Sequence, residues 1–451
     1  MSELGANSEL REQSKLSMDQ RTPIADARRG TTVITTQSNE ASGAEGALIA
    51  LGPDGRLRAY DRRYDVYWDV DPVSGAESTV MYVAADHLDE SHVCGRGTGC
   101  TRMVVEELNL TTGERTRVYS QVTKGGRWHD VDRVGPDRLV VADIAENRVF
   151  VVNTTTEIVE WAWGAQAHYS VNASGGNFKS NDWTHLNDVE RLPDGRYMVS
   201  LRNHDQVVFL NRTGLQPAWT LGSDDDHATL YEQHNPDFIP PSNGGPAVVV
   251  SDSENSRVIE YQYENGTWNR SWSWADGRLQ WPRDADRLPN GHTLITDSHG
   301  SRVLEVNESG AVVWSFTVRL PYEAERLGTG DESAGGPSAS RAGLASRSVD
   351  SRVEKESVRS VSTVVYRFVT RLLPSPLLNS IHFITPPWIG VRDFFPLAVV
   401  TILPVVWGIL EIRWAPYRIE VGDPRNLVTV ERTDRNATGG TGGDGNPNDR
   451  R

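Results

Sequence analysis

The chain reads as an all-β, six-bladed β-propeller with four-stranded blades, closed by pairing strands from its N- and C-terminal ends. Three observations predict it: an acidic motif that recurs six times, a hairpin signal behind it, and ends that each hold part of one blade. The copies are Trp68-Asp69-Val70-Asp71, His129-Asp130-Val131-Asp132, Asn187-Asp188-Val189-Glu190, Pro236-Asp237-Phe238, Arg283-Asp284-Ala285-Asp286 and Tyr322-Glu323-Ala324-Glu325. They stand roughly 40–60 residues apart, a period of propeller blades rather than of helical solenoids. The acidic frame persists while the leading residue changes, as expected when each repeat aims a different side chain at one axis.

Each element follows from a local signal. Residues 31–36, 47–51 and 56–60 supply three outer strands with no inner strand before them, whereas the copy at Tyr322 is an inner strand with no outer strands after it. One blade is therefore shared between the two ends, which leaves no open edge. Behind the inner strands come Pro193-Asp194-Gly195 and Pro289-Asn290-Gly291, hairpin turns in which glycine accepts positive φ. A third strand alternates with period two, as in Arg302-Val303-Leu304-Glu305-Val306, and a fourth carries Trp161, Trp219, Trp272 or Trp314. Asp143 and Arg148, Asp252 and Arg257, and Asp297 and Arg302 share one spacing and read as ion pairs that hold the blade's second turn. The third blade has Leu201 and Gln206 there instead, with Arg202 next to Leu201 where other blades carry Ile144, Ser253 and Ser298. A repeat that drops a structural pair and gains a cation is a candidate functional departure.

Outside the propeller (30–328) the sequence suggests a polar N-terminal tail (1–29), a flexible linker (329–360), an interfacial or membrane-associated segment (361–392), a transmembrane helix (393–412) and a polar C-terminal tail (413–451). The linker is rich in Gly, Ser, Arg and Glu. The span is expected because residues 394–410 carry no charge, near the lower length limit for crossing a bilayer. Residues 1–29 contain no apolar signal core, so export would depend on a different start or on the C-terminal segment.

The chain has 451 residues with 46 Lys and Arg against 61 Asp and Glu, a net charge of −15, which argues against a nucleic-acid partner. Lysine is confined to Lys15, Lys124, Lys179 and Lys355, a bias that fits a halophilic protein. Sequons at Asn109, Asn153, Asn172, Asn211, Asn265, Asn269 and Asn307 suggest a glycoprotein. The two cysteines, Cys94 and Cys100, could close a small disulfide loop. Together these place the propeller on the extracellular side of a cell membrane.

The starts of the inner strands ring one mouth of the channel. There the sequence places His129, His185 with Asn187, His234 and Arg283, with Trp68 and Tyr322 beside them and His185 and His234 read as equivalent repeat positions. With Arg202 they form a cationic pocket suited to an oxyanion, in which a histidine can act as nucleophile or proton carrier. A zinc site on the three imidazoles is disfavoured by the arginines, which repel a dication. For His92, His227, His292 and His299 a structural role is the expectation.

Over about residues 30–330 the chain resembles the arylsulfotransferase (aryl-sulfate sulfotransferase) family. The stretches that carry the likeness are Trp128-His129-Asp130, His185-Leu186-Asn187 running on to Ser200-Leu201-Arg202, and Gln233-His234. The resemblance implies a six-bladed propeller that moves a sulfuryl group from an aryl sulfate donor to a phenolic acceptor, with no nucleotide donor or other cofactor. It implies His234 as the nucleophile that becomes sulfohistidine. Arg202, His129 and His185 would stabilise the sulfuryl oxygens, with Arg283 behind them, and Tyr322, Trp68 and Tyr231 would stack on the aryl ring. The chain looks like a haloarchaeal-type, membrane-anchored member that lacks a separate N-terminal β domain. No Walker-type loop occurs, because Gly328-Thr329-Gly330-Asp331 lacks the lysine such a loop needs. The competing reading is a non-enzymatic surface propeller that binds a glycan or protein; a hydrolase is a third.

Overall fold

Six inner strands line one axis because each begins with the acidic repeat, whose alternate residues face the channel while the residues between them pack against the neighbouring strand. The computed structural model describes residues 3–39, 44–88, 94, 99–170 and 182–348, with short stretches at 376–377, 379–380, 403–404, 406–408, 410–411, 413, 417–420 and 429–432. The first blade comprises β4 (Val66–Pro72), β5 (Thr79–Leu88), β6 (Cys100–Asn109) and β7 (Arg115–Thr123), the second β8 (Trp128–Gly135), β9 (Arg138–Asp143), β10 (Arg148–Asn153) and β11 (Ile158–Gly164). The third holds β12 (Leu186–Arg191), β13 (Tyr197–Leu201) and β14 (Gln206–Asn211), with two short pieces, β15 (Gly214–Leu215) and β16 (Leu221–Gly222), sharing the outer place. The fourth is β17 (His234–Ile239), β18 (Ala247–Asp252), β19 (Arg257–Glu264) and β20 (Thr267–Trp274); the fifth is β21 (Pro282–Arg287), β22 (Thr293–Asp297), β23 (Arg302–Val306) and β24 (Val312–Thr317). The closing blade runs β25-β1-β2-β3, joining Pro321–Arg326 to Thr32–Thr36, Ala47–Leu51 and Leu57–Asp61, as expected of a ring shut by its own ends.

Apolar clusters fill the space between adjacent blades. Met81, Val83 and Val105 of the first blade meet Val131, Val141 and Phe150 of the second. At the channel, the carboxylate of one inner strand accepts the backbone N–H of the next. Glu323 Oε1 takes Val70 N at 3.1 Å, Asp69 takes Val131 N at 3.0 Å, Asp130 takes Val189 N at 2.5 Å and Asp284 takes Ala324 N at 3.1 Å. One tier lower, Asp132 takes Arg191 N at 2.6 Å and Glu190 takes Phe238 N at 2.7 Å. The recurring acids are thus struts that stitch blade to blade.

The spaced Asp/Arg pairs do hold the second turn: Arg148 to Asp143 at 3.1 Å, Arg257 to Asp252 at 2.5 Å and Arg302 to Asp297 at 2.7 Å, each pair directly opposed in register. Asp252 and Asp297 also accept the N–H of Tyr231 and Gln280, at 2.7 and 2.8 Å. The sequons have a structural cause as well. Asn109, Asn153, Asn211 and Asn307 accept the N–H two residues on, at 2.8–3.1 Å, forming the turn between third and fourth strands, and Asn153 is buried. That recurrence is one of turn chemistry.

Several expectations outside the blades are corrected. The N-terminal tail forms helix α1 (Glu3–Ser14), and Leu10 and Ile24 pack with Ile34, Ile49 and Leu57. The expected linker is seated on the propeller as far as residue 348. Ser333 and Ser338 are buried, a short helix α2 (Ala339–Ala342) follows, and the Ala339 N–H sits 2.9 Å from both Glu260 carboxylate oxygens. Low apolar content misled here, because the strap is held by hydrogen bonds to buried acids. No helix among the described residues is long and apolar enough to cross a membrane. The expected span over 393–412 and the segment 361–392 lie mostly outside the described residues. Residues from Ile389 to Arg451 form a unit of their own, in which β26 (Tyr417–Glu420) pairs β27 (Thr429–Arg432) within the expected tail.

Replacing Asp252 by Ala removes the acceptor of Tyr231 N–H, Arg257 and Asn255 at once. A loss of about 3 kcal/mol in unfolding free energy is expected, read as a lower Tm in a thermal melt; an unchanged melt would deny the pair its structural role.

Candidate active site

In each blade a bulge at the start of the inner strand shifts the register, between Trp128 and Asp130, Leu186 and Asp188, His234 and Asp237, and Pro282 and Asp284, for example. A bulge re-aims a side chain, and here it turns the leading residue toward the mouth. The fourth blade's frame differs from the sequence reading. Asp237 opposes Val249 as Glu190 opposes Met198, and Phe238 N–H meets Glu190 just as Arg191 N–H meets Asp132. Counting back, the leading residue is His234, not Pro236, and Asn235 stands where the other blades carry the first acid. His234 is therefore the counterpart of Asn187. His185, two residues earlier, occupies the position of Arg127, Glu232, Trp281 and Leu320, so the expected equivalence of the two histidines is corrected. His185, Glu232, Trp281 and Leu320 share a positive φ of 41–51°, a strained corner for side chains that bear a Cβ.

The mouth tier is thus Trp68, His129, Asn187, His234, Arg283 and Tyr322, with His185 added from the corner. The rings meet: His129 lies 5.5 Å from His185 and His185 6.4 Å from His234, centroid to centroid. Trp68 stacks on His129 at 5.2 Å, and the Tyr322 hydroxyl lies 3.1 Å from His129 Nδ1. Arg283, buried, stands over the Tyr322 ring at 5.3 Å and donates to Gln37 Oε1. Asn187 donates to Gln233 O at 3.1 Å and its Oδ1 has no partner among the described residues. Arg202 leans toward Glu232 Oε2 at 3.4 Å and donates to Asn203 at 3.1 Å. Its counterparts Ser253 and Ser298 tie instead to Pro282 O and Pro321 O, at 2.7 and 2.6 Å. The third blade has exchanged that strut for a guanidinium. Tyr231 is not among the mouth rings; it stacks on His227 at 3.7 Å.

Hydrogen bonds assign the His234 tautomer. Ser253 gives its hydroxyl proton to Pro282 O, so it accepts from His234 Nδ1 at 2.8 Å, and Glu232 O, at 3.2 Å from the same nitrogen, can only accept. Nδ1 carries the proton and Nε2 keeps its lone pair. Burial, then Arg283 and Arg202, hold the His234 pKa well below the usual 6.5, so the ring is neutral at pH 7. Burial likewise depresses His185, with Arg202 and Arg127 adding to it, and His129, with His185 and Arg127. His185 Nδ1 lies 2.8 Å from Asp182 Oδ1, and Asp182 Oδ2 receives Arg127 at 2.8 Å. Burial also draws Arg283 down to about 10.

The sequence reading missed Asp182, Arg127, Ser253 and Trp281. Trp281 lies 6.0 Å from His234 and stacks on His299 at 5.1 Å. Arg127 and Trp281 occupy the corner one residue before their inner strands, so an aligned corner column would have found them. Asp182 precedes the repeat frame and left no such trace.

A mouth of buried neutral imidazoles beside guanidinium groups, on a six-bladed ring, has the charge and the donors to receive an oxyanion. The arylsulfotransferase (ASST) family model matches residues 54–319, and the chain belongs to that family. No curated protein matches the chain. Solved structures similar to it include the periplasmic gluconolactonase of Pseudomonas aeruginosa, 12% identical over 66% of this chain and 99% of that one, with a TM-score of 0.43. A protein of unknown function from Bacteroides caccae is 11% identical over 65% and 97%, with a TM-score of 0.42. Virginiamycin B lyase from Staphylococcus aureus is 11% identical over 54% and 76%, with a TM-score of 0.33. Likenesses this distant carry no argument about function.

Titrating the imidazole resonances by NMR is expected to leave His234, His185 and His129 neutral as pH falls through 6.5. A His234 ring that protonates near that value would overturn the assignment.

Proposed function

We propose that the chain transfers a sulfuryl group from an aryl sulfate to a phenol through a sulfohistidine on His234. The observation that carries this reading is the His234 tautomer, because an imidazole that offers a bare Nε2 among fixed cations is a prepared nucleophile. Nε2 attacks sulfur as the sulfur–oxygen bond to the aryl group breaks, and the donor departs as phenolate. An acceptor phenol then attacks the same sulfur, the nitrogen–sulfur bond breaks, and the acceptor's proton goes to His185 Nε2, whose other nitrogen is held by Asp182. His185 passes that proton on to solvent or the departed phenolate. Charge spreads over three sulfuryl oxygens in flight, so Arg202, with Arg283 and His129 near it, stabilises the transition state more than the bound donor. Trp281 and Tyr322 offer aryl contacts beside the nucleophile.

The disulfide between Cys94 and Cys100 supports a place outside the reducing cytoplasm. The membrane tether and the adaptation to salt rest on the apolar run 394–410 and on the scarcity of lysine.

Incubation with an aryl sulfate, with and without an added phenol, tests the reading. Sulfated acceptor is expected only when both are present; donor loss without acceptor would make the protein a hydrolase, and no loss at all a binding module. His234→Ala is expected to abolish transfer, and Arg202→Ala to slow turnover by roughly 10²–10³-fold.

A further inference from the structure

Below the imidazoles the channel is acidic on every side. The lower tier, counted in the frame above, is Asp71, Asp132, Glu190, Asp237, Asp286 and Glu325. Four of these six acids hold a partner: Asp132 and Glu190 accept backbone N–H groups, Asp237 Oδ2 accepts the Ser333 hydroxyl at 2.5 Å, and Glu325 Oε1 accepts the Glu332 N–H at 3.0 Å. On the side shared by the fourth, fifth and closing blades the accounting fails. Asp286 Oδ2 and Glu325 Oε2 have no partner among the described residues, although these side chains are only 2% and 1% exposed. Oxygens of Asp237, Asp284 and Asp286 lie within 4.8 Å of one another. Glu325 presses on this group from the adjoining blade, since its charge acts on Asp286 and theirs on it.

No cation pairs with them directly. Among the described residues no Lys or Arg forms an ion pair with Asp237, Asp284, Asp286 or Glu325; Arg287 and Arg326, whose charges reach Asp237 and Asp286, are committed to Glu260 and Glu305, each at 3.2 Å. Four buried carboxylates cannot stand bare; protons or a cation must balance them. The donors are all carboxylate oxygens with no imidazole or thiol, a set that selects hard cations. Ligands at about 2.4 Å from a Ca²⁺ ion can lie as much as about 4.8 Å apart, so the group is spaced for such an ion. The cluster of Asp69, Asp71 and Glu323 is different: both clusters accept backbone N–H groups, but no oxygen of these three is both buried and without a partner among the described residues, as Asp286 Oδ2 is.

We propose that Asp237, Asp284, Asp286 and Glu325 bind a hard divalent cation of the Ca²⁺ class in the channel beneath the imidazole tier. Asp237 follows His234 by three residues on its strand, Asp284 adjoins Arg283, and Glu325 follows Tyr322 by three. The ion would therefore clamp together the three strands that present the nucleophile, a guanidinium and an aromatic wall.

The full-length protein, stripped with EDTA and titrated with CaCl₂, tests the site by bound-calcium analysis and thermal melting. One tightly held Ca²⁺ per chain is expected, with Tm rising by roughly 5–10 °C at about one hundred times the Kd. The double variant Asp286→Asn/Glu325→Gln, shown to be folded by circular dichroism, is expected to lose both effects, while Asp132→Asn keeps them. The alternative balance, by protons, has its own signature. Burial lifts Asp284 to about 7, so protonated acids would stabilise the fold below that value and lose the contribution as pH rises through it. A Tm that falls with rising pH and is not restored by Ca²⁺ would overturn the proposal, as would an equal response to Ca²⁺ in the double variant.

Discussion

The bond between an inner-strand carboxylate and the backbone N–H of the next inner strand is the interaction on which the rest of this molecule depends. Blades otherwise meet through apolar side chains, which attract without setting an angle. A carboxylate that must reach one particular N–H does set it, and repetition around the axis closes the ring in register. The consequence is a channel crowded with buried acids, whose pKa values burial lifts far above the ordinary range for Asp71, Asp130, Asp188 and Glu323, among others.

The candidate chemistry sits where this symmetry is broken. The fourth blade replaces the first acid by Asn235 and the following residue by Pro236, which has no N–H to give. Asp188 Oδ2 is accordingly left without a partner among the described residues, while Asn235 reaches across to Glu323 at 3.1 Å. The third blade has surrendered its Asp/Arg pair and its serine strut, and in their place stands Arg202. These two blades carry His234, His185 and Arg202. Positions released from structural duty are the ones available for a site.

Two electrostatic regimes lie on one strand. At His234 burial and then the surrounding cations keep the ring neutral; three residues further on, at Asp237, burial and then the neighbouring acids push the carboxyl toward its protonated form. In the proposed transfer, a mouth that concentrates positive charge on a developing sulfuryl oxyanion would gain from low-dielectric walls. The acid tiers below would draw that field down the channel unless they were themselves balanced.

Local sequence was sufficient to specify the blade count, the shared closing blade, the Asp/Arg pairs and the set of side chains at the mouth, because each rests on a short pattern repeated with a constant offset. His129, Asn187, Arg283, Tyr322 and Trp68 could be placed by counting from the acids. The count slipped in the fourth blade, where Asn235 and Pro236 erase the marker, and with it went the relation between His234 and His185. Asp182 was invisible for a different reason, since it meets His185 from before the repeat frame, at a distance no period encodes; Ser253 and Trp281 stand in columns the repeat does give, but that they meet His234 is not written in the spacing. The packed tail and strap, too, were decided by tertiary structure, since Leu10, Ser333 and Ala339 find partners hundreds of residues away or across a blade. Periodicity determines which face a residue presents; only the closed ring decides which groups meet there and which proton each of them holds.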